Sequence, residues 1–261
     1  MKRRLWLSLF VALTLTGGAA SAEECTKITA TGHRYYPVIA YRDGDKIVGA
    51  APTLVETLAK QINVPLESKY MGTWEEAQAA ARDGKADMIF GLYYNDERAT
   101  YLDYVQPAFT FDDVAIFVLK GKEFPFTDKN DLVGKKGVTN LGESFGNEFD
   151  AFMKEKLDVA RANGIDGAFK DLLDGKADYL IAGYYPGLAE AAREGVKDKV
   201  GPLKQALLSQ EMFVAFSKKS PCRSLVDKFG QGILELTTND SFNHMMDDAT
   251  TAWNNAQNSR K

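Results

Sequence analysis

The pentapeptide DGKAD occurs twice in this chain, at residues 83–87 and 174–178. An amphipathic, helix-like segment precedes each copy, and a short apolar run that is typical of a buried strand follows it, MIFG in one case and YLIAG in the other. Paired tyrosines come soon after the glycine that ends each run. A short match alone is compatible with coincidence, because glycine ends many helices. The matched context on both sides indicates two similar halves.

Strand and helix patterns alternate around the first copy. Residues 27–32 alternate like a strand, and residues 53–62 place their leucines and isoleucine on one helical face. Thr73 and Glu76 have the spacing of a capping box for the next helix, which leads to the strand-like run 86–91. This strand–helix–strand order predicts an α/β fold with a largely parallel sheet.

Ligands of open α/β sheets bind beyond the carboxyl ends of the strands, so two facing halves would bring both tyrosine pairs to one cleft. We interpret the apolar segments 112–121 and 207–219 as strands that cross between the halves. The sequence therefore predicts two lobes with a ligand cleft between them. The predicted boundaries are 23–110 plus 217–261 for the first lobe, 114–211 for the second, and 110–114 and 211–217 for the crossings.

Residues 1–22 have the order of a cleavable secretory signal peptide, with a basic start, an apolar run and a small-residue end at Ala22. The apolar run is shorter than the roughly 20 residues that a membrane span needs. Export to an oxidising compartment predicts a disulfide between Cys25 and Cys222, the alternative being two separate buried thiols.

Composition argues against several classes of function. The formal net charge is −4 and no basic stripe is present, which is unfavourable for binding nucleic acid or an anionic membrane. His33 and His244 are far apart in sequence, and the two cysteines are expected to pair, so no metal-ligand cluster is predicted. We expect no metal and no other cofactor.

Several segments together resemble the periplasmic solute-binding proteins of ABC importers, in the amino-acid type (family 3). These segments are YYPVIAYRDGDKIVG, TWEEAQAAARDGKADMIFGLYYNDERATYLDYVQPAF, DLVGKKGVTNLGES and DLLDGKADYLIAG, and they follow the family's order. The resemblance covers essentially the whole chain after the signal peptide. It implies the type II periplasmic binding protein (Venus-flytrap) fold, a periplasmic monomer, and the permease of an ABC importer as partner.

The resemblance also implies roles for individual residues. Arg98 matches the arginine that binds the ligand's carboxylate, for which a planar guanidinium is well suited. Tyr35 and Trp74 match aromatic residues of the cleft, and Trp74 matches the one that stacks on the ligand. Glu143 and Ser144 match a turn at a helix start, whose N–H groups face the ligand's anionic end.

Two positions depart from the family's pattern. Gly183 stands where the family has an aspartate that binds the ligand's α-ammonium, and Tyr93 stands in a stretch where the family has serine and threonine. Gly91, Tyr93, Gly183 and Tyr184 are nevertheless cleft candidates because they lie at strand ends, and Glu143 is a candidate replacement for the aspartate. The expected ligand is a small carboxylate-bearing solute, which is an amino acid or a related compound.

Each candidate has an ordinary structural alternative. Arg98 would also serve as a helix cap or surface ion pair, Trp74 as a core residue, and Glu143 as a solvated carboxylate at a helix start. The acidic pair at 112–113 is interpreted as a solvated face.

The sequence gives less support to an enzymatic function. GESFG (142–146) fits the G-x-S-x-G pattern of a hydrolase nucleophile, but His244, the one later histidine, lies in a helix-like segment. Cyclohexadienyl (arogenate or prephenate) dehydratases resemble the same two-lobed scaffold, yet no general acid is identifiable here. A ligand-sensing module is a further alternative. The sequence favours binding without catalysis.

Overall fold

The structure is a computed structural model that describes residues 24–258. The predicted signal peptide, residues 1–22, lies outside the described residues. Within the described part of the chain, every helix is too short or too polar to cross a membrane.

The described chain alternates strands and helices. The strands are β1 (Ile28–Gly32), β2 (Tyr35–Tyr36), β3 (Ala40–Asp43), β4 (Lys46–Val48), β5 (Leu66–Ser68), β6 (Met88–Tyr93), β7 (Leu102–Tyr104), β8 (Thr110–Leu119), β9 (Lys136–Asn140), β10 (Asp158–Ala162), β11 (Tyr179–Gly183), β12 (Val200–Pro202) and β13 (Leu208–Ser217). The helices are α1 (Ala50–Gln61), α2 (Trp74–Asp83), α3 (Asp96–Ala99), α4 (Asn147–Lys156), α5 (Ile165–Leu173), α6 (Tyr184–Arg193), α7 (Val226–Thr238) and α8 (Ser241–Asn258). Two 3-10 helices span Lys129–Leu132 and Pro221–Leu225.

One ten-stranded sheet runs through both lobes. Its order is β10-β9-β11-β8-β13-β6-β1-β5, with β12 on β8 and β7 on β13. Strands β5, β1 and β6 are mutually parallel, as are β10, β9 and β11. The long strands β8 and β13 are antiparallel to each other, and each also pairs with one of the parallel sets. Two parallel α/β units joined by two crossing strands form the predicted two-lobed architecture, whereas the numbered lobe boundaries stay a prediction.

Both DGKAD copies form the same kind of turn. Gly84 ends α2 with φ 79°, and Gly175 follows α5 with φ 72°. This left-handed backbone region favours glycine, because it carries no Cβ. Each turn then leads to a fully buried strand, β6 or β11. The capping box of α2 is also confirmed, with the Thr73 and Glu76 side chains each bonded to the other residue's backbone N–H.

The predicted disulfide is present. Cys25 and Cys222 are joined with their sulfur atoms 2.03 Å apart, although 197 positions separate them in sequence. The bond links the segment before β1 to the 3-10 helix after β13, so it ties the start of the first lobe to the chain that returns to it.

Candidate functional site

The two lobes meet along a cleft that side chains bridge directly. From the first lobe, Arg98 Nη2 and Gln78 Nε2 both donate to the carbonyl of Gly142, each at 3.1 Å. Asn95 Nδ2 donates to Ser144 Oγ at 2.7 Å. The loop after β9 therefore packs against the α2–α3 side of the first lobe.

Arg98 lies in the short helix α3, just beyond the buried strand β6. Asn95 caps this helix by accepting a hydrogen bond from the Arg98 backbone N–H at 2.7 Å. The guanidinium is 3% exposed and donates to Gln78 Oε1 at 2.9 Å, to the Tyr93 carbonyl at 3.0 Å and to the Gly142 carbonyl. All three acceptors are neutral, and among the residues that the structure describes no carboxylate forms a salt bridge with Arg98, although Glu143 lies near enough for this charge to lower its pKa. A buried charge that is bonded only to neutral acceptors is costly, so the site favours an anion.

Trp74 is the first residue of α2 and is almost fully buried. Its ring lies near two polar side chains, with the His33 ring centroid at 5.3 Å and Arg98 Cζ at 5.4 Å from its ring centroid. The indole N–H, which can only donate, has no hydrogen-bond partner among the described residues. Trp74 thus belongs both to a core cluster and to the cleft.

His33 and Glu143 face each other across the lobes. The Tyr35 backbone N–H donates to His33 Nδ1 at 3.0 Å, so in the neutral ring the proton lies on Nε2, which is 3.3 Å from Glu143 Oε1. Although the two atoms are close, their relative orientation does not meet the geometry of a hydrogen bond. Burial raises the pKa of Glu143, but His33, the charge of Arg98 and a hydrogen bond from Asn140 outweigh it and hold this pKa below its ordinary value.

A buried cluster of two tyrosines and one aspartate closes the inner end of the cleft. The hydroxyls of Tyr36 and Tyr93 are 2.6 Å apart, and both donate to Asp112 Oδ2. Burial raises the pKa of Asp112 to about 6, although the two hydroxyl hydrogen bonds partly oppose the shift. Burial also raises the pKa of both tyrosines well above the ordinary value, so the hydroxyls stay protonated donors.

The interpretation of residues 112–113 as a solvated acidic pair is wrong for Asp112. At the start of β8, Phe111 and Asp113 are exposed, whereas Asp112 and Val114 are buried. Sequence reasoning also left out His33 and Tyr36 as cleft residues.

The turn at Glu143 and Ser144 differs from its expected form. Helix α4 begins at Asn147, and the Phe145 backbone N–H is already bonded to Asp150 Oδ1 at 2.8 Å. The Glu143 backbone N–H donates to the Asn140 carbonyl at 3.2 Å. These two N–H groups are therefore hydrogen-bonded within the loop and do not point at a ligand.

Three cavities along the interface of the lobes contain predicted site residues. An inner cavity of about 20 Å³ is lined by Tyr35, Tyr93, Glu143 and Gly183 among others. A cavity of about 420 Å³ opens beyond Trp74 and Tyr35, and we call it the mouth cavity. An outer groove of about 740 Å³ contains Arg98, Glu143 and Ser144.

Two of the predicted site residues do not line any of these three cavities. Gly91 is enclosed within β6, where its φ of 73° and the Ile39 side chain, 3.3 Å from an added Cβ, fit glycine best. Tyr184 is the first residue of α6 instead of a strand-end residue, and its ring is 36% exposed and packs edge-on against Tyr185. The second tyrosine pair therefore does not mirror the first.

Residues 28–249 match the family described as bacterial extracellular solute-binding proteins, family 3. The chain belongs to this family. A relative in Bacillus subtilis strain 168, the probable amino-acid-binding protein YxeM, is 24% identical over 253 residues, which cover 90% of this chain and 91% of the relative. The match confirms the family that the sequence segments indicated, and it supports a solute-binding role.

Solved structures confirm the two-lobed fold. A histidine kinase sensor domain with similarity to periplasmic binding proteins has a TM-score of 0.71 and 21% identity, covering 85% of this chain and 95% of that one. The substrate-binding protein of an amino acid ABC transporter has a TM-score of 0.67 and 20% identity, covering 86% of this chain and 99% of that one. The fold is therefore that of the type II periplasmic binding proteins.

Proposed function

We propose that this protein captures a small carboxylate-bearing solute between its lobes, in the periplasm, and presents it to the permease of an ABC importer. The observation that carries the proposal is the Arg98 guanidinium, which is buried at the cleft and bonded only to neutral acceptors. A ligand carboxylate would supply the missing counter-charge through charge-assisted hydrogen bonds.

The binding step follows from the contacts of Gly142. Its carbonyl is the one acceptor of Arg98 that belongs to the second lobe, and it also accepts from Gln78. When the lobes separate, Arg98 loses this acceptor while Gln78 Oε1 and the Tyr93 carbonyl still hold the guanidinium in place. A carboxylate would then take the place of the Gly142 carbonyl before the lobes close by a hinge motion.

Two relatives support the class of ligand. One is a probable amino-acid-binding protein, and another is the substrate-binding protein of an amino acid ABC transporter. Every amino acid carries a carboxylate, which fits Arg98. At the position of the family's aspartate, Gly183 offers no side chain for an α-ammonium, and the nearby Asp112 already accepts two tyrosine hydroxyls.

A sensing role is the second candidate, since the sensor domain of a histidine kinase shares this fold. Both roles use the same binding step and differ in the protein that reads the closed form. Uptake of radiolabelled ligand by cells that lack this protein separates them: lost uptake supports import, and normal uptake with a lost transcriptional response supports sensing.

The binding proposal is tested by calorimetry and thermal shift on the protein from residue 23 onward, against amino acids, keto acids and aromatic acids. A ligand that binds the native state raises the Tm by mass action. We expect Arg98→Gln to weaken binding by about a hundredfold, since it leaves a bound carboxylate unpaired. Arg223→Gln, which removes an exposed arginine paired with Asp103, is the matched control.

Two results would count against the proposal. The first is unchanged affinity in the Arg98→Gln variant, which would remove the carboxylate assignment. The second is turnover of prephenate or arogenate, which would make the protein an enzyme of the dehydratase type instead of a carrier.

A further inference from the structure

The mouth cavity is rich in arginine. Its volume is about 420 Å³, and the residues that matter for its chemistry are His33, Arg34, Tyr35, Arg42, Trp74 and Arg193. The cavity adjoins Trp74 on the side of His33, whereas Arg98 lies against the same indole ring. Trp74 therefore contacts the arginine that we propose for the carboxylate and also lines this cavity.

Two of the three arginines already have acidic partners. Arg193 makes two hydrogen bonds to Glu190, whose side chain is fully buried, and Arg34 Nη2 lies 3.7 Å from Asp166 Oδ1. The short Arg193–Glu190 contacts neutralise the charge of Arg193. The distance between Arg34 and Asp166 is too long for a hydrogen bond, so the N–H groups of Arg34 can donate to another acceptor.

Arg42 has no acidic partner among the described residues. Its Nε donates to the Gly44 carbonyl at 2.7 Å, and its guanidinium carbon lies 3.9 Å from the Tyr70 ring centroid. Both contacts hold the side chain in position without cancelling its charge. The arginines and acids that line the cavity therefore leave an excess of positive charge at its wall.

A buried donor without a hydrogen-bond partner lines this cavity. The Trp74 indole N–H can only donate, and the side chain is more than nine-tenths buried. An unpaired buried donor is costly, so a group that accepts hydrogen bonds fits here.

We propose, on the basis of the proposed function, that the solute carries a second anionic group and that this group binds in the mouth cavity. The substrate class is then a small dianion of the dicarboxylate type. Arg98 holds one carboxylate, Trp74 lies along the connecting carbons, and Arg42 with Arg34 holds the other carboxylate. A neutral amide in place of the second carboxylate would keep the shape but lose the charge-assisted hydrogen bonds.

Matched ligand pairs test this inference by calorimetry. The pairs are succinate with succinamate, glutarate with glutaramate, and L-glutamate with L-glutamine, each measured against the protein from residue 23 onward. For the best-fitting length we expect the diacid to bind about tenfold or more tightly than its monoamide. In Arg42→Gln this ratio should fall towards one, while Arg223→Gln should keep it.

The outcomes distinguish the two proposals. If monoamides and diacids bind equally well, or if Arg42→Gln keeps the preference for diacids, the inference is overturned and the carboxylate site at Arg98 stands. If neither member of any pair binds while another acid of the wider panel does, the inference is overturned and the carboxylate site at Arg98 stands. Loss of binding to all ligands in Arg98→Gln, together with a lost diacid preference in Arg42→Gln, is the result that supports both.

Discussion

Asp112 Oδ2 lies 3.1 Å from the position that a Cβ on Gly183 would occupy. The Tyr36 hydroxyl is closer still, at 2.1 Å from the same point. A carboxylate is therefore present at this end of the cleft, but it comes from the crossing strand β8 instead of the end of β11. The absence of a side chain at Gly183 is what allows Tyr36 and Asp112 to meet there.

Gly183→Ala should hinder closure of the lobes, because the new methyl group would collide with the Tyr36 hydroxyl of the opposite lobe. We expect a cost of about 1–3 kcal/mol in ligand binding, typical of overpacking, with little change in Tm, since each lobe can fold without this contact. Calorimetry and small-angle scattering measure the two effects. Gly167→Ala, where a Cβ would meet an ordinary 3.6 Å contact, should behave like the unaltered protein. Equal affinity in both variants would contradict the assigned contact.

Asp112→Asn should change how stability depends on pH. The folded protein raises the pKa of Asp112 from 3.8 to about 6, so between these values the native state holds a proton that the unfolded chain has released. The contribution of Asp112 to the free energy of unfolding therefore falls as pH rises from about 4 to about 6, by up to about 3 kcal/mol, and stays low above that. Urea unfolding across this range should show that the stability of the variant, relative to that of the wild type, increases as pH rises. Asp113→Asn, on the exposed face, is the control, and a pH-independent difference for Asp112→Asn would refute the assignment.

The double variant Cys25→Ser/Cys222→Ser should lose stability without losing the fold. The disulfide closes a loop across 197 positions, so the chain-entropy account assigns it about 5 kcal/mol. Guanidinium unfolding of the variant should show this difference, and unfolding of the wild type under reducing conditions should reproduce it. Overlapping curves for the oxidised and reduced protein would mean that the bond adds nothing to stability.

Thr73→Ala should destabilise the first lobe by about 1 kcal/mol, because it removes the side-chain half of the α2 capping box. Thr57→Ala is the comparison: its hydroxyl donates to the Thr53 carbonyl inside α1, where alanine favours the helix. The difference is measured by thermal unfolding. A loss of stability in Thr57→Ala as large as that in Thr73→Ala would argue against a capping contribution.

The architecture was predictable because its signals are local. The Gly84 and Gly175 turns, the Thr73–Glu76 capping box and the apolar runs after each DGKAD lie within short windows of sequence. The disulfide was predictable for a different reason, since the chain has only two cysteines and was expected to be exported. Export itself stays a prediction, because the signal peptide lies outside the described residues.

The inner end of the cleft was not predictable in the same way. Tyr36, Tyr93 and Asp112 come from β2, β6 and β8, and β2 belongs to a separate three-stranded sheet, so these side chains meet only through the tertiary fold. The burial of Asp112 was not predictable either, because Phe111, its apolar neighbour on the opposite face of β8, is the exposed residue. The pairing of His33 with Glu143 likewise depends on how the two lobes approach each other.

The order of strands in the sheet has a consequence for how the chain acquires its structure. Strands β8 to β12 and the helices between them are contiguous in sequence. Their part of the sheet therefore lacks only β13. By contrast β6, made early, finds its antiparallel partner only when Met212–Phe216 emerges. During synthesis, β1, β5 and β6 are therefore made before β13, and β6 exposes an unpaired apolar edge until β13 pairs with it. This exposed edge favours aggregation, so a chaperone that binds the incomplete chain would act at this stage.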